Sequence, residues 1–523
     1  MCYQNFLRDI VYMQIGVNKL LLDDLEKILF KKESVAISEE SKQKIRNSFD
    51  FLQDFSRDKI IYGINTGFGP MAQYRIEDNA REQLQYNLIR SHCSGSGQPI
   101  SMIHSKAVLI SRLNTLKLGY SGIHISAIEL MTEMINLEIY PVIYEHGGVG
   151  ASGDLVQLAH VALALIGEGE VWCQGQIMKS KECFDQYQLK PLQIHVREGL
   201  AIMNGTSAMT GIGIVNLIHA KKLARLSVII SSMINELLGA YEDHFGEELN
   251  NTKLHKGQIQ VAAQMKKILT DSSMIKHRYE HLYNGKLTEE VFEEKVQEYY
   301  SIRCVPQILG AIVDTIATCE EVVINELNSA NDNPIIDVAS KNVYHGGNFH
   351  GDYVALEMDK LKLAMTKLSM LMERQLNYLL NDKLNAKLTP FINLGKLGFN
   401  FGMQGIQFTA TSTVAENQTL STSSYIHSIP NNNDNQDIVS MGSNAALIAS
   451  KVIENTYEVC SIELMSVLQA IDSLGIKDKL SSFNKKFYEE ARTLIPVVIE
   501  DKPSFELLRN VKAYLKEKEF NIN

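Results

Sequence analysis

The residues best suited to chemistry begin with Gly147-Gly148-Val149-Gly150-Ala151-Ser152-Gly153-Asp154. Four glycines in seven residues open the backbone to conformations closed to other residues. Leu155, Leu158, Ala159, Ala162, Leu163 and Ile166 then recur at three- and four-residue steps, which predicts a helix. Asp154 stands at its N-cap position with Gln157 three residues on, an approximate capping box. The stretch has three readings. The first is a flexible turn into a capped helix, the commonest use of such a loop. The second is an anion cradle, since glycines before a helix N-terminus expose amide N–H groups; no phosphate-binding Lys or Ser/Thr follows it. The third is reactive. If the Gly153 nitrogen closes on the Ala151 carbonyl and water is lost, then loss of the Ser152 hydroxyl as a second water leaves a ring with an exocyclic methylene. That group is an electrophile no ordinary side chain supplies. Ala-Ser-Gly alone is too common to choose among the three.

Other candidates sit in loops between apolar helical stretches, where functional groups concentrate. Tyr62 precedes a loop with Gly63, Gly67 and Gly69. It either packs at the turn or projects its hydroxyl into a cleft. Free tyrosine has a pKa of about 10, so a basic role needs donors or positive charge nearby. Asn204, directly before a long helical pattern, suits capping or turn duty. Gln297, Tyr300 and Arg303 follow at three-residue steps, which on a helix puts them on one face. Arg303 has the fork that matches a carboxylate, although an Arg just before an apolar helix is usually solvated. His345 and His350 invite a metal reading, but no carboxylate or cysteine has partner spacing, so no metal is expected. Glu416, beside an uncharged stretch, is either a buried acid or a solvated one.

The elements that must position these residues are mostly helices. Helical spacing runs over Leu20 to Phe30, Lys42 to Phe55 and about Asn79 to Ile89, and stops at Ser91–Gly97. Two more helices are expected over about 103–118 and 124–136, ahead of the Gly147 loop. Glu170 to Met178, with Gly175-Gln176 at its centre, reads as a small hairpin. Beyond Thr206, patterns over roughly 206–241, 306–328, 352–386 and 440–474 read as a bundle of long helices. Two Asn-rich loops, 328–334 and 431–437, punctuate them, and the last forty residues read as a charged helical terminus. The expected fold is mainly α. An N-terminal domain, residues 1–204, carries the Ala-Ser-Gly loop and the minor hairpin; residues 205–523 form the long-helix bundle and C-terminal helices.

Composition excludes several classes. With 51 basic and 61 acidic residues the net charge is −10, which argues against nucleic acid as a partner. The seven cysteines are scattered and contain no C-x-x-C, which fits a reducing cytoplasm. No apolar run is long enough for a membrane span, and Asp9 interrupts the stretch where a signal peptide would be apolar.

Tyr62–Gly69, Gly150–Leu155, Asn204-Gly205-Thr206, Tyr300–Gln307, Gly346–Gly351 and Asn435-Gln436-Asp437 together resemble the aromatic amino acid ammonia-lyase family, over roughly residues 20 to 510. The resemblance implies a long-helix bundle assembled as a homotetramer whose active sites are shared between subunits. It implies that Ala151, Ser152 and Gly153 cyclise without external help into 4-methylidene-imidazol-5-one (MIO), the only cofactor expected. It assigns Tyr62 as general base and Tyr300, reaching in from another subunit, to proton transfer or the leaving amine. Arg303 would clamp the substrate carboxylate, steadied by Gln297, and Asn204 would donate to the oxygen of the electrophile. Phe349 would pack near the prosthetic ring, Glu416 and Gln436 would complete the amine and tyrosine network, and Asn432 joins the substrate-binding set. Ser91-His92 takes the selectivity position. Its Ser-His order resembles histidine ammonia-lyases, yet His92 can equally hydrogen-bond a phenol, and Asn435-Gln436-Asp437 resembles the aryl type. L-Tyrosine, converted to trans-p-coumarate, is the expected substrate. Histidine giving urocanate comes next, then phenylalanine or a tyrosine 2,3-aminomutase outcome. The Gly-Ser-Ser-x-x-Met-Pro-x-Lys-x-Asn signature of fumarase–aspartase lyases is absent, and every family position holds a competent residue, which disfavours an inert helical scaffold.

Overall fold

The computed structural model describes residues 12–16, 18–283, 290–292 and 295–522, so Asp9 lies outside the described residues. The chain is mainly helical, as its periodicity requires. Its longest elements are Ser207–Leu238, Val305–Leu327, Asp352–Leu380 and Gly442–Leu474. Each coincides with an expected helix, and the ends differ for local reasons. The third stops short of residue 386 because Asn381 leaves helical geometry (φ −103°, ψ 99°). Its side chain accepts from Lys383 N at 3.1 Å and starts the short helix Asp382–Asn385. Arg81–His92 runs past the expected stop at Ser91. There the Ser91 hydroxyl donates to the Leu88 carbonyl at 3.1 Å, satisfying an end carbonyl from within the last turn.

Strands are few and short. The expected hairpin pairs Glu170–Cys173 with Gln176–Lys179, and Tyr140–Pro141 adds a third antiparallel strand. Its turn is Gln174-Gly175, one residue earlier than the sequence suggests. Both residues take positive φ (50° and 78°), which a two-residue turn matching strand twist requires.

Two compact units divide the chain. The first comprises Met1–Ile218, Cys319–Asp359 and Ser423–Ala449. At its centre is the helix Met102–Leu116, buried on every side from Ser105 onward. Two fully buried arginines brace this unit. Arg112 donates to Asn331 Oδ1 at 3.1 Å and to the Ala201 carbonyl. Arg197 pairs with Asp332 at 3.2 Å and donates to the Pro334 and Ser121 carbonyls. Buried charges of this kind are tolerated only when their donors find acceptors. The Asn-rich loop 328–334, which sequence presents as a polar connector, supplies three of those acceptors, Asn331, Asp332 and the Pro334 carbonyl, from the interior.

The second unit comprises His219–Thr318, Lys360–Thr422 and Ser450–Asn523. Its interior is helix packing in which buried polar groups such as Glu236, Gln375 and Asn417 find hydrogen-bond partners, and one buried acid does not. Glu463 is fully buried in Gly442–Leu474, and neither carboxylate oxygen has a hydrogen-bond partner among the described residues. Burial holds its carboxyl well above the usual range. A carboxyl raised in the folded state stabilises most below its unfolded pKa and loses that contribution as pH rises toward the folded value. Glu463→Leu is therefore expected to raise the thermal midpoint, by about 1–3 kcal/mol of stability, with a margin over the parent that widens between pH 5 and pH 8. Paired melting curves at the two pH values check this.

Candidate functional site

The Ala151-Ser152-Gly153 loop is held from three sides by segments distant in sequence. Ser440 Oγ donates to the Gly150 carbonyl at 3.0 Å and Met441 N to that of Val149 at 3.0 Å. Gly351 N also donates to the Gly150 carbonyl, at 3.1 Å. On the third side, Asp154 N donates to the Gly205 carbonyl at 2.8 Å, and Gly153 bridges Gly205. Gly153 takes φ 70°, and a β-carbon there would collide with the Gly205 carbonyl. Gly205 itself takes φ 147°, with Asn331 Oδ1 only 2.6 Å from where its β-carbon would stand. Glycine is required at both positions by sterics.

Asp154 does not cap its helix. Its side chain makes no cap hydrogen bond to Leu155–Leu165. Instead Oδ2 accepts from Met209 N at 2.8 Å and Oδ1 from Ser443 Oγ at 2.6 Å. The capping box is thus replaced by a tertiary link, because Met209 N lies in the first turn of Ser207–Leu238, where amide donors have no intrahelical acceptor. Complete burial raises the Asp154 carboxyl to about 6, against the opposing pull of its Ser443, Met209 and Ala208 donors.

Two of the predicted residues of this unit meet at Ser152. Asn204 Nδ2 donates to the Ser152 carbonyl at 3.0 Å, and Gln436 Nε2 donates to the Ser152 hydroxyl at 2.9 Å. Asn204 Oδ1 is buried without a partner among the described residues. Tyr62 OH accepts from Gly69 N at 3.0 Å, and its ring meets Phe68 edge-on at 6.1 Å. Burial raises the Tyr62 pKa, and the Gly69 N–H partly offsets this. Asn432 lies against Gly69, its Nδ2 2.9 Å from where a β-carbon of that glycine would stand. Three successive left-handed residues, Asn432, Asn433 and Asp434, turn this loop back so that Asn431 bridges Gln436. Phe349 is half-buried in the loop before Asp352–Leu380. Ser91 and His92 end the helix Arg81–His92; His92 Nδ1 lies 3.0 Å from the Leu88 carbonyl and 3.0 Å from Ser91 Oγ. His345 accepts from Tyr62 N at 3.4 Å.

Gln297, Tyr300, Arg303 and Glu416 belong to the second unit. Helix begins only at Tyr300, so Gln297 does not share a helical face with the other two. The cause is local: Arg278 Nη1 holds the Val296 carbonyl at 2.9 Å, in non-helical chain. Gln297 and Arg303 nonetheless line one cavity of about 580 Å³ with Arg278 and His244. Tyr300 is 70% exposed, with the Arg303 guanidinium 4.8 Å from its ring. Glu416 is exposed and accepts from Asn455 Nδ2 at 2.6 Å. Of its two readings, the solvated acid holds.

Three residues that belong to no motif support the site. Gln85, fully buried, donates to the Gly63 carbonyl and accepts from Leu200 N, both at 3.0 Å, tying the Tyr62 loop to the helix that precedes Asn204. Arg112 and Asn331 brace the turn after it; Asn331 Nδ2 donates to Thr206 Oγ1 at 2.7 Å. Nothing in local pattern marks these residues, though a glutamine on the apolar side of a helix and an arginine inside an apolar run are signals of a kind.

The geometry also tests the ring that sequence suggested. Cyclisation keeps the Ser152 carbonyl oxygen and discards the Ser152 hydroxyl; a separate amide donor addresses each atom. The glycine needed for the close turn is in place. The residues fit the group.

A family model described as aromatic amino acid lyase matches residues 20–493. A tyrosine 2,3-aminomutase of Chondromyces crocatus is 36% identical over 510 residues, 96% of each chain. A histidine ammonia-lyase of Halalkalibacterium halodurans is 38% identical over 499 residues, 95% of this chain and 94% of its own. The crystal structure of a tyrosine aminomutase from Streptomyces globisporus superposes with a TM-score of 0.93 at 32% identity, covering 98% of this chain and 100% of the other.

Because Gly205 has neither room nor backbone freedom for a side chain, Gly205→Ala is expected to cost at least about 1–3 kcal/mol from the strained φ alone. A thermal melt reads that loss; an unchanged midpoint would mean the Gly153–Gly205 approach is not tight.

Proposed function

The chain belongs to the aromatic amino acid lyase family, and on that premise we propose that it eliminates ammonia from L-tyrosine to give trans-p-coumarate. The observation that carries the preference for a donor-bearing ring over phenylalanine is the hydrogen bonding of His92, and the choice of tyrosine over histidine rests on the aryl-type context of Gln436. A carbonyl oxygen only accepts, so Nδ1 must hold the proton it gives to Leu88, which leaves Nε2 as an acceptor. An acceptor at the selectivity position suits a substrate whose ring carries a hydrogen donor, the O–H of tyrosine or the N–H of histidine. Phenylalanine has no such donor, and a site built for one disfavours it.

Removing a β-hydrogen that is barely acidic, beside a poor leaving group, is the chemical difficulty. The prosthetic group made from Ala151-Ser152-Gly153 supplies an electrophile that makes the amine a better leaving group. The chain's own residues do the rest. Tyr62 takes the β-proton through its hydroxyl, the Gly69 N–H favouring the ionised form. Asn204 stabilises negative charge at the Ser152 carbonyl oxygen, which it already faces. Arg303 holds the substrate carboxylate in a bidentate fork with Gln297 beside it. Tyr300 serves proton transfer, Phe349 packs the ring, and Glu416, Asn432 and Gln436 complete the polar set. Family likeness supports a homotetramer with sites shared between subunits, and the scattered cysteines support a cytoplasmic location.

A second reading is an aminomutase that returns the amine to the β-carbon; the names of the Chondromyces and Streptomyces proteins favour it. Histidine as substrate is favoured by the Halalkalibacterium relative. Incubating the protein separately with tyrosine, histidine and phenylalanine, and resolving the products, separates all of these. p-Coumarate formed fastest is the expected result. Faster urocanate overturns the substrate, and β-tyrosine as main product overturns the outcome.

Tyr62→Phe should lower kcat/KM by roughly a hundredfold or more, as loss of a general base does. Since burial raises the Tyr62 pKa, the parent's activity should climb with pH into the alkaline range, and that limb should be absent from the variant. A pH profile identical in both would remove Tyr62 from this role.

A further inference from the structure

Three oxygens of Ala151-Ser152-Gly153 lie next to side-chain nitrogens, two of them on Ser152. The Ser152 carbonyl faces Asn204 and the Ser152 hydroxyl faces Gln436. The third is the Ala151 carbonyl oxygen, which has His350 Nδ1 at 3.4 Å. An acceptor-only oxygen requires that Nδ1 carry the hydrogen. On its other side, His350 Nε2 lies 3.3 Å from Asp352 Oδ1, also an acceptor, so the ring is held at both nitrogens in its doubly protonated form. The next residue, Gly351, donates its own N–H to the Gly150 carbonyl at 3.1 Å, which pins the two loops together beside the contact.

We infer that His350 is the hydrogen-bond donor that promotes ring closure, acting on the Ala151 carbonyl oxygen while the loop is still an ordinary peptide. This inference rests on the proposed prosthetic group and adds a residue that makes it. In the first step the Gly153 nitrogen forms a bond to the Ala151 carbonyl carbon. Donation from His350 draws electron density onto the Ala151 oxygen and makes that carbon more electrophilic. The oxygen leaves as water, taking the hydrogens of Gly153 N and Ser152 N, and a C=N bond to Ser152 N remains. In the second step Ser152 loses its Cα hydrogen and its hydroxyl as a second water, leaving the methylene double bond. Asn204 withdraws density from the carbonyl beside that Cα, and Gln436 donates to the departing hydroxyl. Neither step needs an oxidant or reductant. Each oxygen that is lost or charged has one donor, and the donors come from three separate loops that fold brings together.

The test follows the mass of newly synthesised full-length chain over time, which requires no turnover. Wild-type chain should lose two waters. His350→Met, close in size but without a donor, should slow the first loss by roughly a hundredfold, while His350→Gln, which keeps an N–H, should recover most of the rate. Asp352→Asn leaves the imidazole in place and should slow the first loss to a smaller extent, so the test survives if His350→Met does not fold. Equal rates in wild type, His350→Met and Asp352→Asn overturn the role of His350. A wild-type chain that folds and never loses water overturns the proposed prosthetic group itself.

Discussion

The candidate site depends on the approach of Gly153 to Gly205. Two backbones meet where neither has room for a β-carbon, and the Asp154 N–H bonds to the Gly205 carbonyl across the gap. That contact sets Asn204, one residue earlier, against the Ser152 carbonyl. It also sets Ser207–Leu238, whose first turn offers Met209 N to the Asp154 carboxylate. A close contact between two short turns would be weak alone. It persists because Arg112 and Asn331 close over Gly205 from the far side, in an interior where an unmade hydrogen bond costs more than at the surface.

This arrangement explains why so much charge and amide is buried in one unit. Arg112, Arg197, Asn331, Asp332 and Asp154 are each almost or fully inaccessible. Hydrophobic residues of similar volume would serve stability equally well or better. What the polar set adds is direction: carbonyls and amides meet only in one geometry, so loops that share no helix are fixed to each other. Burial lowers the Arg112 pKa to about 10 and raises that of Asp154, the expected signature of charges held away from water.

The second unit contributes residues of different character. Gln297 and Tyr300 are exposed, and Arg303 is half-buried with its Nε lacking a partner among the described residues. Side chains kept open in this way differ from the locked amides around Ser152. Under the proposed function, substrate contacts must form and break, whereas a loop that is to cyclise must be held still.

By itself, the sequence determined the helices and the order of the motifs. Apolar spacing at three and four residues identified the four longest helices, because burying one face is a local property of the chain, whereas Gln404–Leu420, with few buried apolar residues, was not marked. The glycine clusters marked the turns for the same reason: positive φ is a constraint each residue carries alone. The Ala-Ser-Gly loop, Tyr62, Asn204 and Gln436 were legible as a set through family resemblance. Only the tertiary structure decided what their side chains face. Asp154 looked like a cap and instead bonds the next helix, since an N-cap competes with any amide that folding brings closer. His92 looked like a loop residue and closes a helix, because its ring satisfies a carbonyl four residues back. Gln85, Asn331 and His350 carry no local mark of the contacts they make. The partners that tie them to the site, Gly63, Arg112 and Ala151, lie 22, 219 and 199 residues away, and contacts over such distances exist only once the intervening chain has packed.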